Sequence, residues 1–426
     1  MCARTAALLL AVPAVLAGGC RSEEDRAAQA PVEDQAAQIT VEEQGGDSTL
    51  TALSDTLLPG LERISKLEAL RPIVVERRSA EQVRAFVEHQ LDDRLPADEL
   101  EGFRATYALL GLIPDTLDLR ALLLDLYTEQ IVGYYDPAEK KLFVVDGVPP
   151  DAVRPVLAHE LVHALQDQHT NLDSLIAPGR GNDRQLAAQA AIEGHATLVM
   201  FSLLAEAATN RPVDPATLPN LAEQLGPALE SPSSDFPVFR SAPRVVRETL
   251  LFPYSGGLHF VQELWRAQGE PRTAPLDSLL PQSTEQVLEP VARFIDERDE
   301  PTELRFEDDG ASAAVYENGL GQLETRLFLE EHLGVGARSA AEGWDGDRYR
   351  LVRSPDGDES LIWYSVWDDD ASADRFLGRL TDILTGPLGG NGTAERVSID
   401  GRPGVRAVVG RTAHISIPNA RVVASD

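Results

Sequence analysis

One pentapeptide constrains this chain more than any other feature: His159-Glu160-Leu161-Val162-His163, set where Val156, Leu157, Leu161, Val162 and Leu165 recur at helical spacing. Residues four apart on an α-helix stand on the same face. Both imidazoles can therefore reach one ion at about 2.0–2.1 Å, while Glu160, one step round, faces the same space. Pro155 suits the first turn of such a helix, and the run Gln166-Asp167-Gln168-His169 closes it. Four of the eight histidines fall between His159 and His195, which argues for a site over a chance pairing on an ordinary helix. A catalytic zinc site needs a third protein ligand and an open position for water, so the fold must bring one more side chain to this face.

Two residues are candidates for that ligand. His169 lies ten residues after His159, the metzincin spacing, but Gln166 stands where that arrangement places a turning glycine, and Met200 lies in a helical run instead of a turn. Glu193, thirty residues after His163 in AAIEGHATLVM, is the better choice, because it sits early on the next long helix as a helix-borne carboxylate ligand requires. Gly194 beside it leaves room for two helices to approach closely. His195 lies roughly 200° round the helix from Glu193 and is expected to be a supporting or merely polar residue.

Composition narrows the partners. The 426 residues are 43% hydrophobic, enough for one large core or two medium ones. Against 38 basic residues stand 69 acidic ones, a net charge of -31, which repels phosphate backbones and excludes nucleic acid as an expected partner. Arg4 and the apolar run 6–16 precede Ala17-Gly18-Gly19-Cys20, a pattern similar to a bacterial lipoprotein signal with Ala17 where leucine is commonest; an ordinary secretory signal is the alternative. The two cysteines are Cys2, inside that signal, and Cys20, so a mature protein lipidated on Cys20 has neither a free thiol nor a disulfide.

Along the chain, residues 1–19 read as the signal and 20–50 as a flexible acidic tether with few large apolar residues. Residues 51–127 show helical spacing, as in Leu53, Leu57, Leu61, Ile64 and Leu67. The segment IVGYYDPAEKKLFVV then changes period: 131–135 and 142–145 flank an Asp-Pro turn signal and predict a hairpin. Helices are expected at 183–208, in ETLLFPYSGGLHFVQELW and in ENGLGQLETRLFLEEHLG, closed by Gly334. From about residue 338, DRYRLVRS, SLIWYSVWD, RVSIDG, VRAVVG and AHISIP read as strands around one helix at 371–384, a small α+β domain. The expected fold class is α+β: a mainly helical domain over 51–337 with a small hairpin or sheet, then the domain 338–426.

HELVHALQDQ followed by EGHA resembles a group of bacterial and archaeal gluzincin-type metallopeptidases with an HExxH…E pattern. GYYDPAEKKLFVV, LLFPYSGGLHFVQELW, STEQVLEP, GWDGDRYRLV and WYSVWDDDASADRF share the likeness, which covers most of 125–385. The resemblance implies zinc (Zn2+) on His159, His163 and Glu193, a hydrolytic water and peptide cleavage, without naming a substrate. In that chemistry Glu160 is the general base, and Tyr254 in FPYSGG is a candidate oxyanion donor, or else a core aromatic with a satisfied hydroxyl. The chain departs from many gluzincins at Thr197, four residues after the ligand glutamate, where they carry an aspartate. Either that hydroxyl or another carboxylate such as Asp167 is expected to orient a ligand imidazole. The expectation is a zinc peptidase of the cell envelope, lipid-anchored to a membrane and acting on a peptide or protein; the alternative is a zinc-binding but non-peptidolytic surface lipoprotein, chaperone-like or degenerate.

Overall fold

The protein, in a computed structural model, is described over residues 11–13, 39–175, 179–219, 236–307, 314–354, 356–410 and 415–423; Cys20 and the first part of the expected tether lie outside them. The fold is α+β. After the short strand β1 (Ala11–Pro13), helix α1 (Ile39–Ser65) places Leu50, Leu57, Leu61 and Ile64 on one buried stripe. The expected tether is therefore helical from Ile39. Packing of that stripe nucleates the helix, and each residue added ahead of it gains a hydrogen bond without a second nucleation cost.

Strand β2 (Val74–Arg78) breaks the helical region that the sequence predicts, and α2 (Ala80–Arg94), α3 (Ala97–Leu109) and α4 (Leu119–Gln130) complete it. Capping chemistry sets two of their starts: Ser79 and Gln82 form a capping box, and the Asp118 carboxylate accepts from the Ala121 N–H. The helix α4 runs straight into β3 (Ile131–Asp136), which returns as β4 (Lys141–Val145) with Gly133 opposite Val144 and Tyr135 opposite Leu142. The predicted hairpin is thus present. β2 pairs parallel with the other side of β4, and β1 lies antiparallel on the outer edge of β3, in the order β1-β3-β4-β2.

Three helices form the centre: α5 (Pro150–His169), α6 (Asn182–Thr209) and α7 (Arg244–Gln268). Pro155 falls in the second turn of α5, because Pro150 already starts the helix. α6 has 28 residues and is long and apolar enough to cross a bilayer, yet most of it is buried inside the fold, as a central core helix must be. It meets α7 backbone to backbone. A Cβ on Gly194 would lie 2.0 Å from the Gly257 carbonyl carbon, and one on Gly257 would lie 1.9 Å from the Ala190 carbonyl oxygen.

The C-terminal part comprises β5 (Leu304–Phe306), β6 (Ala314–Asn318), α8 (Gly321–Leu333), β7 (Trp344–Arg353), β8 (Glu359–Trp367), α9 (Asp370–Thr385), β9 (Gly392–Ile399), β10 (Arg402–Gly410) and β11 (Ala420–Val422). An antiparallel sheet in the order β6-β7-β8-β10-β9 takes its first strand from before residue 338. Buried apolar side chains run continuously from Leu57 and Leu161 through Phe328 to Trp363 and Phe376, so packing does not break at that boundary. The opposite face of the sheet, with Ile362, Tyr364 and Val366, is covered by the β5–β11 ribbon. Of AHISIP, residues 415–418 form no strand: Pro418 has no N–H to donate, and its carbonyl accepts the Tyr364 hydroxyl at 3.0 Å.

Partly buried carboxylates fasten the elements around the centre. Asp347 on β7 accepts from the backbone N–H groups of Leu320 and Gly321 at the start of α8, both at 2.9 Å, and from the indoles of Trp344 and Trp363 at 3.2 and 2.8 Å. Asp183, in the first turn of α6, accepts from the Thr284 N–H and hydroxyl; burial pushes its carboxyl up to about 7.

The glycine contact between α6 and α7 has a measurable consequence. Gly257→Ala should lower the free energy of unfolding in urea by about 1–3 kcal/mol or more, since the added methyl meets backbone that cannot move aside. Gly378→Ala, on the exposed face of α9 with open space around it, should instead raise stability by about 0.5–1 kcal/mol.

Candidate metal centre

α5 is buried around nearly its whole circumference, with Val156, Leu157, Leu161, Val162 and Leu165 inaccessible to solvent. His159, Glu160, His163 and Gln166 are inaccessible too, and polar groups at that depth need partners. The one-face spacing of His159 and His163 puts their Nε2 atoms 3.0 Å apart. Glu193, from the second half of the first four turns of α6, completes a triangle: its Oε2 lies 3.1 Å from His159 Nε2 and 3.4 Å from His163 Nε2. The edges of a tetrahedral zinc site with bonds of about 2.0–2.1 Å are about 3.3 Å, so the three atoms stand at ligand spacing.

Two further observations fit a cation. Two imidazole nitrogens and a carboxylate oxygen facing one another leave too few protons to join all three. Glu193 Oε1 is buried with no hydrogen-bond partner among the described residues. Burial pushes His159 down, and His163 to about 3, so both rings are neutral at pH 7 and can offer a lone pair. Burial likewise pushes the Glu193 carboxyl up, against the pull of His159. The group His159–His163–Glu193 can hold a metal ion.

A relay behind His163 fixes which nitrogen faces that ion. The Ser65 carbonyl, at the C-terminus of α1 where helical carbonyls lack partners, accepts from His195 Nε2–H at 3.1 Å. His195 Nδ1 is then an acceptor and accepts a hydrogen bond from Gln166 Nε2–H at 3.0 Å, and the same amide nitrogen also donates to the Ile192 carbonyl at 3.0 Å. That orientation turns Gln166 Oε1 to His163, whose Nδ1–H donates to it at 2.7 Å, leaving the Nε2 lone pair toward Glu193 and His159. Neither of the orienting residues expected from sequence does this. The Thr197 hydroxyl is buried without a partner among the described residues, and Asp167 is taken up by the Tyr135 hydroxyl, Lys140 and Arg71. Gln166 was legible in principle, since it lies three residues after His163 on the same helix face.

Asp167 acts on the other side of the site. Its bond to the Tyr135 hydroxyl at 2.8 Å fixes one end of that residue, and the Tyr135 backbone N–H donates to Glu160 Oε2 at 2.9 Å. Strand β3 thereby aims Glu160. His169, the alternative ligand, points away: its Nε2 lies 2.8 Å from the Glu68 carbonyl, outside the group.

Tyr254 on α7 stacks its ring obliquely 6.3 Å from that of His159. Burial, with Glu193 and Glu160 nearby, holds its hydroxyl far above the usual range, so it remains a proton donor at neutral pH. Tyr254 and Glu193 also line a cavity of about 390 Å3. Its walls are one face each of α4, with Leu119, Leu123 and Leu126, of α6, with Gln185 and Gln189, and of α7, with Val246 and Leu250. The N-terminal helices thus form part of the site, a role their sequence does not indicate.

Residues 311–421 match the model of a family described as a domain of unknown function, DUF8575. That match covers the C-terminal sheet and does not include His159, His163 or Glu193. No curated protein and no solved structure matches the chain.

The relay yields a prediction. Gln166→Leu should weaken metal binding by about 10–100-fold, the usual cost of removing a hydrogen bond behind a ligand imidazole, in competition with a chromogenic chelator. His169→Ala should leave that affinity unchanged.

Proposed function

We propose that this chain is a zinc-dependent metallohydrolase of the gluzincin type that cleaves peptide bonds. The observation that carries the reading is the meeting of His159 Nε2, His163 Nε2 and a Glu193 oxygen, with the buried carboxylate of Glu160 next to His159 on the same helix and the hydroxyl-bearing ring of Tyr254 beside His159, while Glu193 and Tyr254 also line a cavity. Two imidazoles and one carboxylate suit zinc better than calcium or magnesium, which prefer all-oxygen sites. Bound there, zinc supplies a Lewis acid that acidifies water and polarises a carbonyl.

The chain's own residues supply the rest. Glu160 takes a proton from water as its oxygen bonds to the carbonyl carbon, then delivers a proton to the departing amine nitrogen as the C–N bond breaks. Tyr135 N–H holds the Glu160 carboxylate in place by its Oε2. Tyr254, kept protonated, can donate to the oxygen that gains charge. The outer edge of β3 accepts an extended antiparallel segment, since β1 lies along it with Ala11 opposite Tyr134. β1 falls within the proposed signal, so in a mature chain the same edge is open to an extended peptide substrate. Cys20 in its lipobox supports lipid anchoring at the cell envelope.

Glu160→Gln should keep near-stoichiometric zinc by elemental analysis while peptide hydrolysis falls by about 10²–10⁴-fold. His159→Ala should lose both. Full activity in Glu160→Gln, or zinc loss as complete as in His159→Ala, would refute the mechanism. For the anchor, Cys20→Ser should shift the protein from the membrane fraction to a soluble or unprocessed form; a processed variant still in the membrane fraction counts against lipidation.

A further inference from the structure

The cavity beside the metal centre is elongated, and its far end has a chemistry of its own. Asn182, Gln185, Gln189 and Glu193 all line it and recur at three- and four-residue spacing on α6. Eleven residues of α-helix rise about 16 Å, so the cavity extends from the ligand Glu193 to the start of that helix, a length matched by about five residues of extended peptide. Between the two ends its walls combine Leu119, Leu123 and Leu126 of α4 and Val246 and Leu250 of α7 with Gln185 and Gln189 of α6.

At the far end stands Glu324 of α8. Its Oε1 accepts from the Tyr107 hydroxyl at 2.8 Å and from Asn182 Nδ2 at 2.6 Å. Its Oε2 is buried with no hydrogen-bond partner among the described residues, on a side chain only 2% exposed that lines the cavity. The cations nearby are otherwise engaged: Arg348 faces Glu317 at 3.3 Å and Arg94 faces Asp173 at 3.4 Å. Glu99, also on the wall, has no described salt bridge either. Burial pushes the Glu324 carboxyl up to about 8, with Asp183 and Asp347 adding to the rise. A buried carboxyl in that position lacks a positive partner.

We propose that this end of the cavity is a cation subsite, in which Glu324 receives the ammonium or guanidinium group of a peptide lying along those walls, about 16 Å from the candidate metal ligands. The charge comes either from a free amino terminus or from a lysine or arginine side chain. The net charge of -31 works in the same direction by attracting basic peptides from solution. The inference rests on the peptidase reading for the identity of the ligand, while the subsite itself is tested by binding.

The test uses full-length protein carrying Glu160→Gln, so that bound peptide is not consumed. The probes are fluorescent decapeptides of alanine and leucine with one lysine, norleucine or glutamate moved along the sequence, each with a free or an acetylated amino terminus. Fluorescence anisotropy should show a charged group at one register tightening binding by about tenfold or more over its neutral counterpart, as expected for a hydrogen bond to a charged group. Adding Glu324→Gln, which retains the oxygen that Tyr107 and Asn182 contact, should bring that ratio close to one and leave the norleucine peptide within about twofold. The free and acetylated arms separate terminus from side chain. Equal binding of lysine, norleucine and glutamate peptides, or a lysine preference that survives Glu324→Gln, overturns the subsite even if the wild type cleaves peptides. Should Glu324→Gln fail to fold, the three-way comparison on the Glu160→Gln protein decides alone. Charge-selective binding without hydrolysis by the wild type upholds the subsite and sinks the peptidase reading.

Discussion

Placing two imidazoles and two carboxylates at zero or near-zero exposure in a helical core costs several kcal/mol per unpartnered group, and much of this interior is arranged around that cost. His159, His163 and Glu193 face one another between α5 and α6, while Glu160 takes its hydrogen bond from the Tyr135 N–H of β3. The cluster is also incompletely satisfied: Glu193 Oε1 has no hydrogen-bond partner among the described residues, which is the expected state of a site finished by a cation.

That cluster is held from three directions. The contact of Gly194 with Gly257 lets α7 lie against α6, bringing the Tyr254 ring beside His159. From behind, Ser65, His195 and Gln166 transmit a hydrogen-bond polarity that begins at a helix terminus and ends on His163. From the front, Asp167 and Tyr135 fasten β3 to α5 and fix Glu160. Each connection crosses between elements distant in sequence, so local disturbance of the helices, hairpin or α1 terminus reaches the same few atoms.

The C-terminal sheet is a structural support for this arrangement and a wall of its cavity. Asp347 closes the start of α8 with four donors, and α8 carries Glu324 to the far end of the cavity. The conformation at Gly321 is part of the same junction: its φ is +73°, and a Cβ there would lie 1.8 Å from Asp183 Oδ1. The part of the chain that matches a domain of unknown function therefore contributes to the wall of a cavity beside candidate metal ligands that it does not contain.

What the sequence determined by itself is local and periodic. The helix phase placing His159 and His163 together, the change of period at 131–145, the long helix 182–209 and the α9 helix all follow from spacing of three to four residues or of two. The preference for Glu193 over His169 was already legible there too, whereas the tertiary structure alone gave Gln166 the orienting role, inserted β2 parallel to β4 and drew β6 into the C-terminal sheet. Those outcomes depend on which surfaces meet after tens of residues of intervening chain, and single-sequence periodicity reports which face of an element is apolar without saying what it packs against.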